Sequence, residues 1–473
     1  MALTRPLYPS NLLEIFMSDD AMEKLVSLCK RKGFIYQSSE IYGGLNGCWD
    51  YGPLGVELLR NIKEVWWKAM TYREDVEGID ASILMNQRVW EASGHVDSFT
   101  DPMVEDRKTN ERFRLDQLLE ENGIDVAGLS AEEMGALLRK CNIKSPKGNE
   151  LSDPRQFNLM FKTFVGPLED DSARVFLRPE TAQGIFVNYL NVQAATRQKL
   201  PFGIAQIGKA FRNEINTKNF LFRTREFEQM EMQYFVAPGT QDEWFNYWRE
   251  ERWKWFAQIG LPERKLSWHE HQGDELAHYA RAAFDIQYEF PFGPGEIEGI
   301  HNRGDYDLSQ HEKFSGKQLK YFDEEQRTKF VPYVVETSIG ASRTLMACLV
   351  EAYHEEEVRG ETRVVMRFHP RIAPLKAAVL PLVKRDGMPA IARQIAEDLR
   401  PYMRVFYDEG GAIGRRYRRM DEVGTPFCLT VDSDTLADQT VTVRARDTMA
   451  QERVPIAELR AHLESGMDAW QIP

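Results

Sequence analysis

The chain has 473 residues, of which 42% are hydrophobic, 11% aromatic and 28% charged. That is a globular composition at a length that predicts about three domains, or two if one is large. Its 60 Lys and Arg against 73 Asp and Glu give a net charge of −13, which excludes a histone-like, generally basic nucleic-acid binder but leaves room for a local basic face. Basic and acidic residues balance from Arg371 to Pro473, so the whole deficit falls in the first 370 residues. Cys29, Cys48, Cys141, Cys348 and Cys428 are odd in number and far apart, with no Cys-x-x-Cys pair. Reduced thiols in a cytoplasmic protein are therefore expected rather than a disulfide framework or a zinc ribbon. No leader-like N-terminal stretch and no apolar run near the ~20 residues of a membrane span is present, so no membrane partner is expected.

Residues 21 to 32 read as a helix that Gly33 ends, and Tyr42-Gly43-Gly44 and Asp50-Tyr51-Gly52-Pro53 mark tight loops. Leu58, Leu59, Ile62, Val65, Trp66 and Met70 recur at helical spacing. Ile79 to Met85 reads as a buried strand. Arg114 to Cys141 is helical and acidic, follows the charged run Glu105 to Arg112 and ends near Ser145-Pro146-Lys147-Gly148. An inserted helical module at about 105–155 is expected. Strands return at Phe157 to Phe164 and Val175 to Leu177. Thr240 to Ile259 is a helix carrying Trp244, Trp248, Trp253 and Trp255, and packing on a sheet explains that stripe better than a base-stacking platform. Beyond Pro370 and Pro374, strands at Ala377 to Val383, Arg404 to Tyr407, Pro426 to Val431 and Thr440 to Arg444 alternate with helices at Pro389 to Arg400 and Gly414 to Val423. This is the pattern of a compact α/β domain with a mostly parallel sheet. The expected division is 1–370 and 371–473.

Two blocks carry chemistry. In the first, a strand ends in Phe211-Arg212-Asn213-Glu214, a loop holds Lys218, Arg223 and Arg225, and a second strand runs from Glu226 to Val236. Alternation puts Phe227, Gln229, Glu231, Gln233 and Phe235 on one face and Glu226, Glu228, Met230, Met232 and Tyr234 on the other. Polar groups on both faces suit either a solvated edge strand or a strand whose buried polar groups are used. The arginines favour an anionic ligand, since guanidinium matches phosphate. The second block is Val334 to Arg343, a strand, a small-residue turn and a helix start, with Leu345, Met346, Leu349, Val350 and Tyr353 on one helix face. A helix N-terminus with Arg343 in its first turn suits an anion.

Together these blocks resemble motifs 2 and 3 of class II aminoacyl-tRNA synthetases, and Leu58 to Met85 occupies the place of motif 1, a helix and strand at the dimer interface. Ser39-Glu40-Ile41-Tyr42-Gly43-Gly44, Trp49 to Gly55, Trp90 to His95, Arg178 to Gly184 and Asp305 to Leu308 resemble the single-chain, homodimeric glycyl-tRNA synthetase family, over about Gly33 to Thr448. The resemblance implies an α+β catalytic domain, an antiparallel sheet flanked by helices, followed by an α/β anticodon-binding domain. It implies a ligase that makes glycyl-adenylate from glycine and ATP with Mg²⁺, then charges glycine tRNA.

It also implies site residues. Arg212 and Arg343 are the catalytic pair. ATP falls to Arg212 (α-phosphate), Asn213, Glu214, the hairpin Phe222, Arg223, Thr224, Arg225, Glu226 and Phe227 (stacked on adenine), Glu296 and Ile297, and Gly340, Ala341, Ser342 and Arg343 at the γ-phosphate. Glycine falls to Arg114, Glu180, Phe227, Glu228, Gln229, Met230, Glu231, Arg303, Glu336, Thr337, Ser338, Ile339 and Gly340. The tRNA falls to Arg415, Arg416, Tyr417, Arg418 and Arg419, where arginines around an aromatic suit phosphates and a stacked base. Many members carry a Cys-x-x-Cys pair where this chain has Glu105-Asp106-Arg107-Lys108-Thr109, so no structural zinc is expected. A non-catalytic synthetase-like accessory subunit, or a synthetase for another small amino acid, are the alternatives.

Overall fold

The structure, a computed structural model, describes residues 19–472 apart from 127, 168, 171, 218 and 278. Lys218 therefore lies outside the described residues. Helix α1 (Asp19–Lys32) buries Leu25, Leu28 and Cys29. It stops at Gly33, whose φ of 78° lets the Phe34 N–H reach back to the Cys29 carbonyl at 2.8 Å. Helix α2 (Pro53–Thr71) starts on a proline, which loses no helical hydrogen bond there, and buries Leu58, Leu59, Ile62, Trp66 and Met70.

Strand β1 is Val76–Ile79, so the strand expected over Ile79 to Met85 is displaced. The chain leaves the sheet after Ile79 because the next amide that could pair, on Ala81, is taken by the Gln206 side chain at 3.2 Å. Leu84 is 46% exposed and keeps only an isolated bridge to Leu177.

Residues 100–158 mix strand and helix where one helical module was expected. Thr100–Glu105 pairs with Arg112–Arg114 and with Arg155–Asn158. The helix expected from Arg114 to Cys141 is two, Leu115–Glu121 and Ala131–Lys140. The break follows Gly123 at φ 77°, and Ser130 with Glu133 forms a capping box for the second. The turn after Glu105 closes on the buried Asp106 carboxylate, which accepts from the N–H groups of Lys108 (2.8 Å) and Thr109 (3.0 Å), Ser145 Oγ (2.6 Å) and Asn149 Nδ2 (3.0 Å). Phe157 to Phe164 is likewise two strands, Arg155–Asn158 and Lys162–Phe164.

The main sheet adds β2 (Phe202–Phe211), β3 (Glu226–Val236), β4 (Leu266–Glu270), β5 (Ala282–Phe290), β6 (Gly293–Gly304) and β7 (Tyr333–Gly340). Its order is β4-β5-β6-β7-β3-β2-β1, antiparallel except for β1 beside β2. Between β3 and β4, the helix Gln241–Trp255 packs on β6 and β7. Its Trp248 and Trp255 are buried in the core, so the tryptophan stripe is packing. The same helix buries Arg252 against Glu298 of β6 at 2.6 Å. After β7 comes α3 (Ala341–Ala352), buried on nearly every side; Tyr353, expected on its apolar face, starts the next strand instead.

One sheet face is core, with Met230, Met232, Tyr234, Ile286, Ile300, Val335 and Ile339. The other carries Gln229, Glu231, Gln233, Glu336 and Ser338, of which all but the fully buried Gln233 line a cleft. β3 lies between β7 and β2, so it is a central strand with used polar groups and not a solvated edge.

The C-terminal sheet contains β8 (Ala377–Pro381), β9 (Val405–Tyr407), β10 (Phe427–Val431), β11 (Thr440–Ala445) and β12 (Gln451–Pro455), in the order β9-β8-β10-β11-β12. The first three are parallel and the last two antiparallel. The predicted alternation captures the parallel part, while β12 had no counterpart in the sequence reading. Among the described residues, no helix is long and apolar enough to cross a membrane.

Candidate active site

Two adjoining cavities open on the polar face. The first is lined by Arg212, Glu214, Phe222, Arg223, Thr224, Phe227, Glu296, Gly340, Ser342 and Arg343 together with Leu221, Gln229 and Ser338. The second is lined by Glu180, Glu231, Glu336, His271, Glu275, Tyr279, Asp285 and His301, among others. Arg212, Gln229, Glu296 and Ser338 belong to both walls.

The first cavity is cationic. Arg212 donates its Nε–H to the Pro179 carbonyl at 3.1 Å and lies 5.3 Å from the Phe227 ring centroid. Among the described residues no carboxylate pairs with it. Arg223 stands 3.6 Å from Glu214. Burial lowers the Arg223 pKa and Glu214 offsets part of that. The Glu214 Oε2 atom is buried and has no hydrogen-bond partner. Arg343 is fixed by the Phe222 carbonyl (3.0 Å) and by Glu296 Oε2 (2.9 Å), with its guanidinium 4.5 Å above the Phe222 ring. Tyr51 holds Ser342 at 2.8 Å. This wall offers planar donors and an aromatic face, the complement of a nucleoside polyphosphate.

The second cavity is anionic. Register puts Gln233 opposite Glu336 and Glu231 opposite Ser338. Glu336 accepts from Arg303 Nη1 (2.9 Å), His301 Nδ1 (2.8 Å) and Gln233 Nε2 (2.5 Å). Burial opposes its charge, but Arg303 and His301 outweigh burial and hold it well below the carboxylate range. Glu180 accepts from Gln183 at 2.9 Å and lies 3.4 Å from His95 Nε2. Burial raises its pKa, and His95 with Arg303 brings it down to about 2. Among the described residues, Glu231 accepts only from the Thr181 hydroxyl and from Gln233 Nε2 at 3.0 Å. Burial, then Glu336 and Glu180, push it well above the usual range. Such a wall takes a small cation.

Residues 163–353 match the tRNA synthetase class II core domain (G, H, P, S and T), and residues 376–465 match the anticodon-binding domain. Across 94% of its length the chain is 54% identical to a glycine–tRNA ligase of Treponema denticola, covering 97% of that protein. It is 53% identical to one of Chlorobaculum tepidum (92% of this chain, 98% of the relative) and 51% identical to one of Thermobifida fusca (94% and 97%). The chain belongs to the glycine–tRNA ligase family.

Several residues expected in the ligase site lie elsewhere. Glu228 turns to the opposite face and pairs with Lys63 at 2.8 Å, and Met230, Ile339, Ile297 and Ala341 are core. Thr337 is fully buried between two residues of the polar face. Contiguous strand residues cannot share one face, so only every second one reaches the ligand side. Glu226 pairs outward with Lys209. Arg225 braces the loop, bonding the carbonyls of Glu214 (3.1 Å) and Asn46 (2.7 Å), and Asn213 is tied by its N–H to the Leu159 carbonyl at 2.7 Å. Arg114 is claimed by Asp101 (3.0 Å) and Asp116 (2.5 Å) and lines a separate hollow with Asn46 and Thr217.

Arg303 is 3% exposed and sits behind the wall, gripping Asp307 at 2.8 and 2.9 Å as well as Glu336. It orients a carboxylate and has no free face for a ligand. The sequence reading gave no site role to His95, Gln183, Gln233, His301 or Asp307, although it put Gln233 on the face of Glu231 and had His95, Gln183 and Asp307 inside the segments that carry the resemblance. The signal for His301 was present, since it alternates in phase with Gly299 along β6.

In the C-terminal sheet's helix Ile413–Val423, Arg416 is 2% exposed and donates to the carbonyls of Pro381 (2.7 Å), Asp408 (3.1 Å) and Leu382 (3.2 Å). Tyr417 bonds Thr430 at 2.6 Å and has Arg444 4.9 Å from its ring. Both point inward, because a short helix on a sheet must bury one stripe. Arg415 and Arg419 are exposed and Arg418 half-buried.

Proposed function

We propose that the chain condenses glycine with ATP to glycyl-adenylate and pyrophosphate, then passes glycine to the 3′ end of glycine tRNA. One observation carries this reading. An anionic cavity and a cationic cavity meet at Arg212, a guanidinium with no carboxylate partner among the described residues. The glycine ammonium lies among Glu180, Glu231 and Glu336, and its carboxylate turns towards Arg212 and the ATP α-phosphorus. ATP lies along the first cavity, its adenine beside Phe227 and its γ-phosphate towards Arg343.

Attack of the carboxylate on the α-phosphorus is an in-line displacement, so positioning and neutralisation of the growing phosphate charge supply the rate. Arg212 provides both, and no side chain need act as nucleophile. Mg²⁺, when bound, would screen the ATP phosphates. Glu296 fits it, since Arg343 engages only one of its carboxylate oxygens and Mg²⁺ needs just one or two carboxylates beside phosphate. Arg415, Arg418 and Arg419 present the tRNA-facing charge of an anticodon-binding domain that begins near residue 370. The working form is a cytoplasmic homodimer.

Pyrophosphate exchange with each amino acid in turn tests this. Exchange is expected with glycine alone. Exchange with alanine, serine or proline overturns the specificity, and exchange with none leaves the non-catalytic accessory subunit. Arg212→Ala should abolish exchange while keeping the wild-type melting temperature, because its side chain holds no buried carboxylate. Normal exchange by that variant refutes its role.

A further inference from the structure

Of the six carboxylates that line the second cavity, Glu180, Glu231 and Glu336 act on one another and are not held alike. Glu336 has a guanidinium and an imidazole; Glu180 has an imidazole and an amide. Among the described residues, Glu231 has neutral donors alone, the Thr181 hydroxyl and the Gln233 amide. That amide nitrogen also bonds Glu336, so one neutral group ties two carboxylates together. Arg303 is shared with Asp307. Of the remaining charges, Arg178 acts on Glu231 through space, while it donates to the carbonyls of Lys209 and Ala81 and, among the described residues, pairs with no carboxylate; Arg212 lines the same cavity. On the far wall His271 is paired with Asp285 at 2.9 Å, and Glu296 with Arg343; Glu275 is bonded to His269 and Tyr279 packs 3.8 Å from the Arg303 guanidinium.

Carboxylates buried together around one cavity do not all ionise. The wall also keeps an empty acceptor: Gln229 is 8% exposed, and its Oε1 atom has no partner.

We propose that Glu231 carries a proton in the free enzyme and surrenders it when glycine binds, the incoming ammonium replacing the proton as its counter-charge. This rests on the glycine reading above. The Glu231 O–H bond breaks, the proton passes to solvent, and the carboxylate left behind accepts from the ammonium. Nothing is oxidised or reduced. Glycine and protons therefore compete for one site, and affinity for glycine rises with pH until Glu231 is ionised in the free enzyme. Burial and the two neighbouring carboxylates act in the direction this requires.

The test is calorimetry of glycine binding to the full chain at pH 6, in two buffers of unlike ionisation enthalpy, with the glycine KM in pyrophosphate exchange followed across pH. Net proton release on glycine binding is expected, approaching one per glycine on the acid side of the Glu231 titration. The KM should rise about tenfold per pH unit on the acid side of the Glu231 titration. Glu231→Gln should bind glycine more weakly, release no proton and lose the KM slope. Glycine binding without proton release overturns the proposal. So does a slope that survives in Glu231→Gln, which assigns the titration to another group. A chain that binds no glycine at all refutes the functional reading instead.

Discussion

Lysine in place of Arg303 separates charge from geometry. Arg303 makes three charge-assisted bonds of 2.8–2.9 Å to two carboxylates, two to Asp307 and one to Glu336. A lysine ammonium is a single point and cannot hold the Asp307 fork and reach Glu336 together. At least one buried acceptor loses its partner, at a cost of about 1.5–3 kcal/mol. If Glu336 is abandoned, the cost appears in glycine recognition, as a rise of about 10- to 150-fold in the glycine KM, since 1.4 kcal/mol is tenfold. If Asp307 is abandoned, the same energy appears as lost stability. Pyrophosphate exchange with glycine and with ATP titrated separately, beside urea denaturation, reads both. The ATP KM should stay within about twofold, because Arg303 does not line the first cavity. Unchanged stability with an unchanged glycine KM would refute the reasoning, as would an ATP KM that rises as far as glycine's.

Arg252→Met strands the fully buried Glu298 carboxylate and should cost about 3–5 kcal/mol in urea unfolding; Arg252→Met with Glu298→Met should recover most of it. The Glu231→Gln variant also carries a stability signature. A carboxyl whose folded pKa lies above its model value of 4.5 binds a proton more tightly folded than unfolded. Its contribution is full at low pH and is lost as pH rises through the folded value, so the melting temperature of the variant relative to wild type should climb from pH 5 to pH 8 without ligand. A flat difference contradicts the raised Glu231. Arg416→Ala should lower the stability of the C-terminal domain by about 1–3 kcal/mol through three stranded carbonyls. Arg415→Ala should leave melting unchanged and weaken glycine tRNA binding with a shallower salt dependence; the reverse pattern refutes the assignment.

What was legible in the sequence were features that local pattern determines. The β2–β3 hairpin, the β7-to-α3 turn and the alternation Gln229, Glu231, Gln233 follow from period-two spacing and from where Gly and Arg fall. What failed depended on partners remote in the chain. Ile79 to Met85 has strand composition, but a side chain on β2 captures the amide that would extend the ladder. Arg416 and Tyr417 look like a basic, aromatic surface until three carbonyls and a threonine claim them. Site residues carried over from the family resemblance as continuous runs, such as Phe227 to Glu231, include the neighbours that a pleated strand turns away. Arg303 was carried over to glycine from the family resemblance, and its guanidinium is taken up by two of the protein's own carboxylates, Asp307 and Glu336.

The wall common to the two cavities has a further consequence. Arg212, Gln229, Glu296 and Ser338 face both, so occupancy of one side changes the hydrogen-bond partners available on the other. Such a coupling is a state function. Whatever factor bound ATP lends to the affinity for glycine, bound glycine must lend to ATP. Substitution of a shared residue such as Gln229 should alter that single factor, measured from either side, while substitution of an unshared one such as Arg343 or Glu180 should shift one affinity and leave the factor unchanged.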